Sequence, residues 1–407
     1  MIDFEEDSEE ARKINSVISS DGLHASKILE AAGLDGTLRR PDNTLVIFDE
    51  IQRNPRMFTC LKYISEKRPD VYVASSGSLM GLALKSGTRA PVGCVDVEYM
   101  FPMTFYEFLE AANETEALFI LRNGLWERYE KISKVLEYRL RQYIAVGGMP
   151  KPLSIFLETN DLRYARKEQN NILSIYEQDF NVHLEDVELT EKIRYAWRVA
   201  CTLSGERNES GIFFKKIPNK RADDFYVAVQ WLEDFGLIHI CPRCLEPSGS
   251  LAGNIDFKRS NSFKVFPLDI GLRMAKCGYE PDFSIQDTVN NSLWGKIIEQ
   301  FVHQQLYIDS KERVGVQPAY YSWQYHGKSY EIDFMIANKF DTIPVEVKSS
   351  SHFENKSLEQ FKKQFFPKKI VRISPRNPGI VPPVWSLPLP ATQSVIDFVN
   401  TDPCAYS

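Results

Sequence analysis

The 407-residue sequence lacks several features that would each assign it to a particular class of protein. No apolar run approaches the roughly 18 residues of a membrane-spanning helix, and the N-terminus, MIDFEEDSEE, is acidic where a signal peptide is basic and then apolar. Internal repeats and low-complexity tracts are also missing. The charge balance, 49 lysines and arginines against 55 aspartates and glutamates, excludes a globally basic nucleic-acid binder. Seven cysteines in so long a chain favour reduced thiols over a disulfide framework.

What the sequence does contain is typical of a globular protein with more than one domain. Its composition, 43% hydrophobic, 12% aromatic and 26% charged, excludes a disordered, collagen-like or coiled-coil chain. At roughly 150 residues a domain, the length predicts two or three compact domains. Because signal and membrane segments are missing as well, we expect a cytoplasmic protein that has no membrane partner.

The first segment, residues 1–112, alternates short apolar runs with amphipathic stretches. The runs TLVIF (44–48) and VYVA (71–74) and the alternating VDVEYM (95–100) are typical of strands, and residues 56–67 have the spacing of a helix. This rhythm indicates parallel strands joined by crossover helices. We therefore predict an α/β domain with a parallel sheet.

Two further segments precede the C-terminal one. Residues 113–189 have a helical pattern with a turn at VGGMP, because glycine and proline cannot continue a helix, and we predict a helical connector. Residues 190–281 begin as helix, loop, helix and strand, which predicts a winged-helix-like unit. Its basic and aromatic sequence FFKKIPNKR (213–221) is either a contact to a nucleic-acid backbone or an ordinary solvated loop.

Acidic and hydroxyl side chains follow two of the predicted parallel strands. The run LVIF is followed at once by Asp49 and Glu50, and VYVA continues into SSGS (75–78). In a P-loop NTPase the first acid belongs to the Mg²⁺ shell and the second polarises the attacking water, while a hydroxyl on the next strand can sense the γ-phosphate. Ligand sites of α/β sheets lie at these strand ends. An ordinary strand-to-loop exit has the same composition, so both interpretations stay open.

The order of several motifs makes the sequence similar to a known group. The stretches IFDEIQRNPR, SSGSLMG, APVGCVDVEYMFPMTFYEFLEA and VGGMP resemble prokaryotic AAA-superfamily ATPases that carry a C-terminal domain of unknown function, and the likeness runs over essentially the whole chain. The resemblance implies that Asp49 and Glu50 have the Walker B roles and that Ser76 or Ser78 is the sensor. It also implies ATP and Mg²⁺ as cofactors.

One motif of that group is missing. The P-loop sequence G-x-x-x-x-G-K-[ST] occurs nowhere in the chain, so the backbone N–H nest and the lysine that cradle the β- and γ-phosphates are absent. In the family this loop lies upstream of the segment that MIDFEEDSEE resembles. The first domain is therefore expected to be a truncated, AAA-like P-loop NTPase sheet with compromised ATP binding, the product of a shortened or mis-started reading frame.

The C-terminal segment, residues 282–407, predicts a second α/β domain in which two strands bring carboxylates together. In residues 330–336 the apolar even-numbered positions share one face, and Glu331 and Asp333 lie on the other. In the next strand Glu346 and Lys348 share the polar face. If residues 338–341 form a four-residue hairpin loop, Asp333 lies directly opposite Glu346, and Glu331 lies opposite Lys348.

Facing carboxylates repel each other, so this arrangement needs a cation. Asp333 and Glu346 could hold Mg²⁺, with Glu299 on the preceding helix as a third ligand, and Lys348 could stabilise developing phosphate charge. The order of Glu299, ID (332–333) and EVK (346–348) resembles the PD-(D/E)XK nuclease fold, which implies catalytic roles for Asp333, Glu346 and Lys348. The alternative is a decayed or purely structural site in which Lys348 pairs with its neighbours.

Two hypotheses about function follow. The first is an ATP-binding AAA-family ATPase coupled to a nuclease-like, DNA-associated C-terminal domain, with DNA and further copies of the chain as partners. The second is a non-catalytic DNA- or protein-binding module in which both sites are degenerate. Substituting Asp49 and Glu50 should abolish turnover of a full-length protein under the first hypothesis and change only stability under the second. Because the C-terminal helix and strands carry the whole set, a fragment beginning near Asp282 is expected to bind Mg²⁺ or Mn²⁺ through Asp333 and Glu346, with Glu299 in support.

Because the phosphate cradle is missing from the sequence, we predict that the 407-residue chain binds ATP weakly or not at all in the presence of Mg²⁺. Isothermal titration calorimetry measures this affinity directly, and a dissociation constant in the micromolar range would refute the prediction. Reading the gene upstream of Met1 tests the cause. An in-frame P-loop motif there would account for the loss, whereas a stop codon with no such motif would remove that account.

Overall fold

The computed structural model describes residues 2–4, 9–20, 24–33, 44–54, 56–77, 93–182, 186–202, 222–256, 263–279, 291–339, 341–350 and 356–400. They belong to two compact units, residues 1–100 and residues 101–407. None of the helices in these ranges is long and apolar enough to cross a membrane.

In its described part, the first unit is a parallel sheet covered by helices. The strands, in their spatial order, are β1 (Ile2–Asp3), β2 (Leu45–Asp49) and β3 (Tyr72–Ser75), and the helices are α1 (Glu9–Ser20), α2 (Ala25–Ala31) and α3 (Arg56–Lys67). Strands β2 and β3 are parallel neighbours, as predicted, and Phe48 pairs with Ser75. Helix α3 buries the residues that lie three or four positions apart on one face, namely Met57, Phe58, Cys60, Leu61 and Ile64.

One strand predicted for this unit is wrong. Residues 95–100, VDVEYM, form no strand, although their alternation fits one. Val97, Tyr99 and Met100 are exposed, and no described strand pairs with this segment. A period of two specifies a strand only where a neighbouring strand supplies hydrogen bonds and one face is buried.

The second unit begins with helices, and the turn predicted at VGGMP separates two of them. The helices are α4 (Phe105–Ala111), α5 (Thr115–Arg122), α6 (Tyr129–Val146), α7 (Pro150–Thr159), α8 (Leu162–Val182), α9 (Val187–Thr202) and α10 (Ala222–Asp234). Strand β4 (Ile238–Pro242) then pairs antiparallel with β5 (Phe263–Pro267). The winged-helix interpretation of this region stays a prediction, and FFKKIPNKR (213–221) lies outside the described residues.

A mixed sheet of six strands completes the described part of the second unit. After α11 (Ile270–Lys276) and α12 (Asn291–Arg313) the elements are β6 (Ala319–Tyr325), β7 (Lys328–Asn338), β8 (Asp341–Val347), α13 (Lys356–Phe365), β9 (Ile370–Ser374), β10 (Gly379–Val381), β11 (Val384–Pro388) and α14 (Val395–Asn400). The spatial order is β10, β11, β9, β8, β7, β6. Helix α12 packs in one apolar cluster of this sheet, through Phe301, and α13 packs in another, through Phe361.

The close approach of Asp269 to Gly147 and of the Met103 backbone to Gly148 explains the two glycines of VGGMP. Asp269 caps α11 by accepting a hydrogen bond from the Leu272 N–H, and it also accepts one from the Gly148 N–H at 2.7 Å. A Cβ at Gly147 would lie 2.2 Å from Asp269 Oδ1, and a Cβ at Gly148 would lie 2.0 Å from the Met103 carbonyl oxygen. Only glycine allows the backbone to approach these groups so closely.

We predict that Gly148→Ala lowers the free energy of unfolding by about 2 kcal/mol or more, because no rotamer relieves an overlap between Cβ and a backbone oxygen. Gly253→Ala is the matched control, since an added Cβ there meets no atom within 4 Å. The control should stay within about 0.5 kcal/mol of wild type. Urea unfolding midpoints measure both changes, and equal midpoints for the two variants would contradict the packing account.

Candidate functional site

At the end of the parallel sheet, the structure brings together two residues that the sequence predicts for one site. Asp49 ends β2 and Ser76 follows β3, and the Ser76 hydroxyl donates a hydrogen bond to Asp49 Oδ1. The Ser76 N–H also donates to the Phe48 carbonyl at 2.9 Å, which extends the strand pairing by one residue. Neighbouring parallel strands end at the same edge of a sheet, and for this reason the two side chains meet.

Glu50, the second predicted acid, begins a sharp turn. Its φ is 51°, in the left-handed region that residues other than glycine seldom adopt, and its N–H donates to Asp49 Oδ1 at 3.1 Å. The turn brings the Ile51 N–H within 3.0 Å of the Ser76 carbonyl oxygen. Strained backbone of this kind is frequent at functional sites. Ser78, the other predicted sensor, lies outside the described residues.

The second candidate site lies where β7 and β8 separate. Their pairing has the predicted register, since Ala337 lies opposite Thr342. The pairing continues to Asn338 opposite Asp341, so the loop is shorter than the predicted four residues. The expected register of the hairpin is confirmed, and its length is corrected.

The Asp333 carboxylate occupies the point at which the ladder stops. The last pair is Phe334 and Val345, and beyond it the Val347 N–H donates to Asp333 Oδ2 at 2.7 Å. A side chain therefore takes a backbone donor that would otherwise lack a partner where the strands separate. Asp333 is not the paired neighbour of Glu346, contrary to the expectation that the two lie directly opposite each other.

A bulge in β7 changes the faces of this strand. Two residues, Asp333 and Phe334, stand opposite the single residue Tyr320 of β6. Ile332 consequently packs in the cluster of α13 and Phe334 in the cluster of α12, although their spacing predicts a common face. A bulge re-aims the side chains that follow it, and it is the physical reason why the predicted faces are wrong beyond Ile332.

A lysine that precedes the C-terminal segment lies among the carboxylates. Lys264, on β5, is 1% exposed, and its Nζ lies 2.5 Å from Glu299 Oε1 and 2.7 Å from Glu331 Oε1. The ammonium also lies 5.5 Å from the ring centroid of Tyr320 and 5.7 Å from that of Phe334. Two carboxylates and two aromatic faces therefore surround one buried positive charge.

A second ion pair lies beside the first. Lys348 Nζ is 2.6 Å from Glu346 Oε1, whereas Glu331, predicted to lie opposite Lys348, is paired with Lys264. The other carboxylate oxygen of Glu346, Oε2, is buried without a hydrogen-bond partner among the described residues. An unpartnered buried carboxylate oxygen is costly unless a proton or a cation accompanies it.

Three carboxylates are close enough to bind one ion. One oxygen from each of Glu299, Glu331 and Asp333 lies within 4.8 Å of the other two. This set contains Glu331 where the sequence predicts Glu346. The adjoining cavity of about 360 Å³ is lined by Gly295, Glu299, Asp333, Val347, Lys348, Ser349 and Ser350. Carboxylate oxygens are the ligands that hard divalent ions prefer, so this donor set fits Mg²⁺ or Mn²⁺.

Negative charge exceeds positive charge in this region. Four carboxylates and two ammonium groups leave a formal charge of −2. Burial raises the pKa of Glu346 to about 8, with a further contribution from the charge of Asp333, and burial raises the pKa of Glu299 to about 7. Burial opposes the charge of Lys264, but the charges of Glu299 and Glu331 outweigh it and raise the pKa of Lys264 well above its usual value. The excess negative charge thus calls for protons or for a divalent ion.

Sequence analysis did not find Lys264. The available signal was a lysine inside the strand FKVFP, because a charged residue in an apolar strand requires a partner of opposite charge once it is buried. The four residues predicted for the site all follow Asp282, so metal binding by a fragment that begins there stays a prediction. Their buried neighbour Lys264 precedes that point, and residues 101–407 form one unit.

Comparisons with known families divide the chain into three matched segments. Residues 1–109 match an AAA domain, residues 137–282 a domain of unknown function (DUF8612), and residues 294–388 a domain of unknown function (DUF4143). No curated protein and no solved structure matches the chain. The N-terminal part is therefore similar to AAA ATPase domains, a class that generally uses ATP and Mg²⁺. Lys264 lies in the middle match, and its carboxylate partners lie in the C-terminal one.

We predict that Glu346→Gln, in chelator, removes part of a stability loss that occurs between about pH 5 and pH 8. The folded state keeps the Glu346 proton up to about pH 8, whereas an unperturbed glutamate loses it near pH 4.5. Stability therefore falls as the pH rises through this window, because the folded state binds more protons than the unfolded state. Glutamine cannot lose a proton, so the variant should lose less stability, by on the order of 2 kcal/mol.

The matched control is Glu359→Gln, which changes a half-exposed glutamate of the same unit. Its pH profile of unfolding free energy, measured with denaturant at each pH, should follow that of wild type. Parallel wild-type and Glu346→Gln profiles would contradict the assigned direction of the pKa shift.

Proposed function

We propose that this protein combines an AAA-type ATPase part with a C-terminal divalent-cation site of the PD-(D/E)XK nuclease kind that acts on DNA. The observation that carries the proposal is the convergence of three carboxylate oxygens within 4.8 Å, beside a cavity whose wall includes Lys348. The AAA match supports the first half of the proposal. The order of Glu299, Asp333 and the EVK sequence supports the second half.

In the C-terminal site, each residue has a proposed role. Glu299 and Asp333 would hold the ion, because both line the cavity. Glu331 is the third member of the set that converges within 4.8 Å. Glu346, the third ligand predicted from the sequence, would add a further oxygen, which is buried without a partner among the described residues. Lys348 would stabilise negative charge on a phosphate at the cavity. A bound Mg²⁺ would supply Lewis-acid polarisation of a phosphodiester and a more acidic water.

In the N-terminal part, Asp49 would belong to the Mg²⁺ shell of a nucleotide, Glu50 would polarise water, and Ser76 would be the sensor. The hydrogen bond between Ser76 and Asp49 supports this assignment, because these roles require side chains from adjacent strands to meet at one edge. Helices α9 and α10 with strands β4 and β5 would form the winged-helix-like contact to DNA.

One observation favours the second function, a non-catalytic binding module. Lys264 and Lys348 already pair with Glu299, Glu331 and Glu346, so the chain itself supplies part of the compensating charge. A buried network of this kind can be purely structural, since removing one partner destabilises a protein even where the network has no catalytic role. Metal binding distinguishes the two functions.

We predict that millimolar Mn²⁺ raises the melting temperature of the wild-type chain and that Asp333→Asn abolishes this shift. At an ion concentration about 100 times the dissociation constant, the stabilisation is about 2.7 kcal/mol. Asparagine retains an oxygen for the Val347 N–H and removes one of the crowded charges, so the melting temperature in chelator should stay unchanged or rise. Differential scanning fluorimetry measures both effects.

Asp341→Asn removes an exposed carboxylate from the same strand pair and should keep the wild-type shift. If wild type melts at the same temperature in chelator and in Mn²⁺, the metal site is wrong, and the nuclease assignment fails with it. The same samples, incubated with single- and double-stranded DNA, separate the two functions. Metal-dependent cleavage that Lys348→Met abolishes supports the nuclease, whereas metal binding without cleavage supports the binding module.

A further inference from the structure

Strand β5 separates two apolar cores, and Lys264 lies on the side of the carboxylates. Phe263 and Val265 pack in the cluster that contains Trp197 of α9, whereas Phe266 packs in the cluster of α12 and β7. Alternate side chains of a strand point to opposite faces, so Lys264 lies on the same face as Phe266. Because Phe263 and Val265 anchor β5 in the cluster that contains Trp197, they also fix the position of the Lys264 ammonium.

The Lys264 ammonium meets the same groups that a divalent ion would use. Two of the three carboxylates that converge within 4.8 Å are its ion-pair partners, Glu299 and Glu331. An ion ligated by this set would lie close to a fixed positive charge that is shielded from water. Repulsion between like charges at this range is strong in a poorly solvated site, and it lowers the affinity for the ion.

We propose that Lys264 is a built-in counter-ion that opposes divalent-cation binding at Glu299, Glu331 and Asp333. This inference rests on the proposed metal site. Without the charge of Lys264, the four carboxylates would keep one ammonium group, Lys348, which pairs with Glu346, and the formal charge would fall from −2 to −3. The unpartnered oxygen of Glu346 supports the proposal independently, since the region is short of positive charge even with Lys264 in place.

The test compares the Mn²⁺ affinity of the 407-residue wild-type chain with that of Lys264→Met by isothermal titration calorimetry. Methionine keeps most of the length and the apolar stem of lysine and removes the charge. We expect the variant to bind Mn²⁺ on the order of 10-fold more tightly or better. Lys276→Met is the matched control, because it removes a lysine that pairs with a single glutamate, Glu177, away from the carboxylates, and it should leave the affinity unchanged.

The outcomes separate this inference from the proposed function. Tighter binding by Lys264→Met, with measurable binding by wild type, supports the inference. Binding by Lys264→Met alone supports the opposing role of Lys264 and overturns the proposed metal function of the wild-type chain. Equal or weaker binding by Lys264→Met, with measurable binding by wild type, overturns the inference and leaves the metal site standing. No binding by either protein overturns both.

Lys264→Met can lose its fold in chelator, because two carboxylates lose their buried partner. Circular dichroism then replaces calorimetry as the readout. Recovery of the native spectrum on adding Mn²⁺ supports the inference, since the ion takes over the compensating charge. A variant that stays unfolded at Mn²⁺ concentrations that saturate wild type overturns it.

Discussion

Crowded carboxylates inside a protein require positive charge in contact with them, and this constraint organises the described core of residues 101–407. Lys264 meets it by joining β5 to Glu299 of α12 and to Glu331 of β7. Removing one partner of a buried ion pair costs about 3–5 kcal/mol, so three elements from distant parts of the chain are held in one arrangement. Helix α12 adds neutral links to the same region, since Gln300 donates to the Pro267 carbonyl and Gln304 accepts from the Ile270 N–H.

The sequence alone predicted the local structure of this region well. Strands β7 and β8 have the predicted register, because slipping a half-buried strand by one residue would reverse its faces. The bulge at Asp333 and Phe334 was not predictable in the same way. Nothing in the local pattern marks the extra residue, which depends on how Tyr320 pairs from β6. The alternation of residues 95–100 failed for a related reason, since a strand requires a neighbour that its own sequence does not specify.

The composition of the candidate site was predictable in its acids and in Lys348, but not in Lys264. Glu299, Asp333, Glu346 and Lys348 follow from spacing and strand direction, and the structure places three of them on one cavity wall. The facing carboxylates predicted a metal ion as the compensating charge. Lys264 is 35 residues from Glu299, in a different predicted segment, and no periodic pattern relates positions at that distance. The ion pairs of Lys264 with Glu299 and Glu331 could therefore be recognised only in the structure.

The charges of the C-terminal site come from two segments that match different family models. Residues 294–388 match one family model and contain the acids, whereas Lys264 lies in the segment 137–282 that matches another. A fragment that begins after Lys264 would contain the same carboxylates at a more negative formal charge, so their mutual repulsion and their attraction for a cation would both increase. The metal affinity of such a fragment would therefore differ from that of a chain that contains Lys264. The charge of this site depends on both segments. Its metal affinity and its pH dependence are therefore properties of a chain that contains them together.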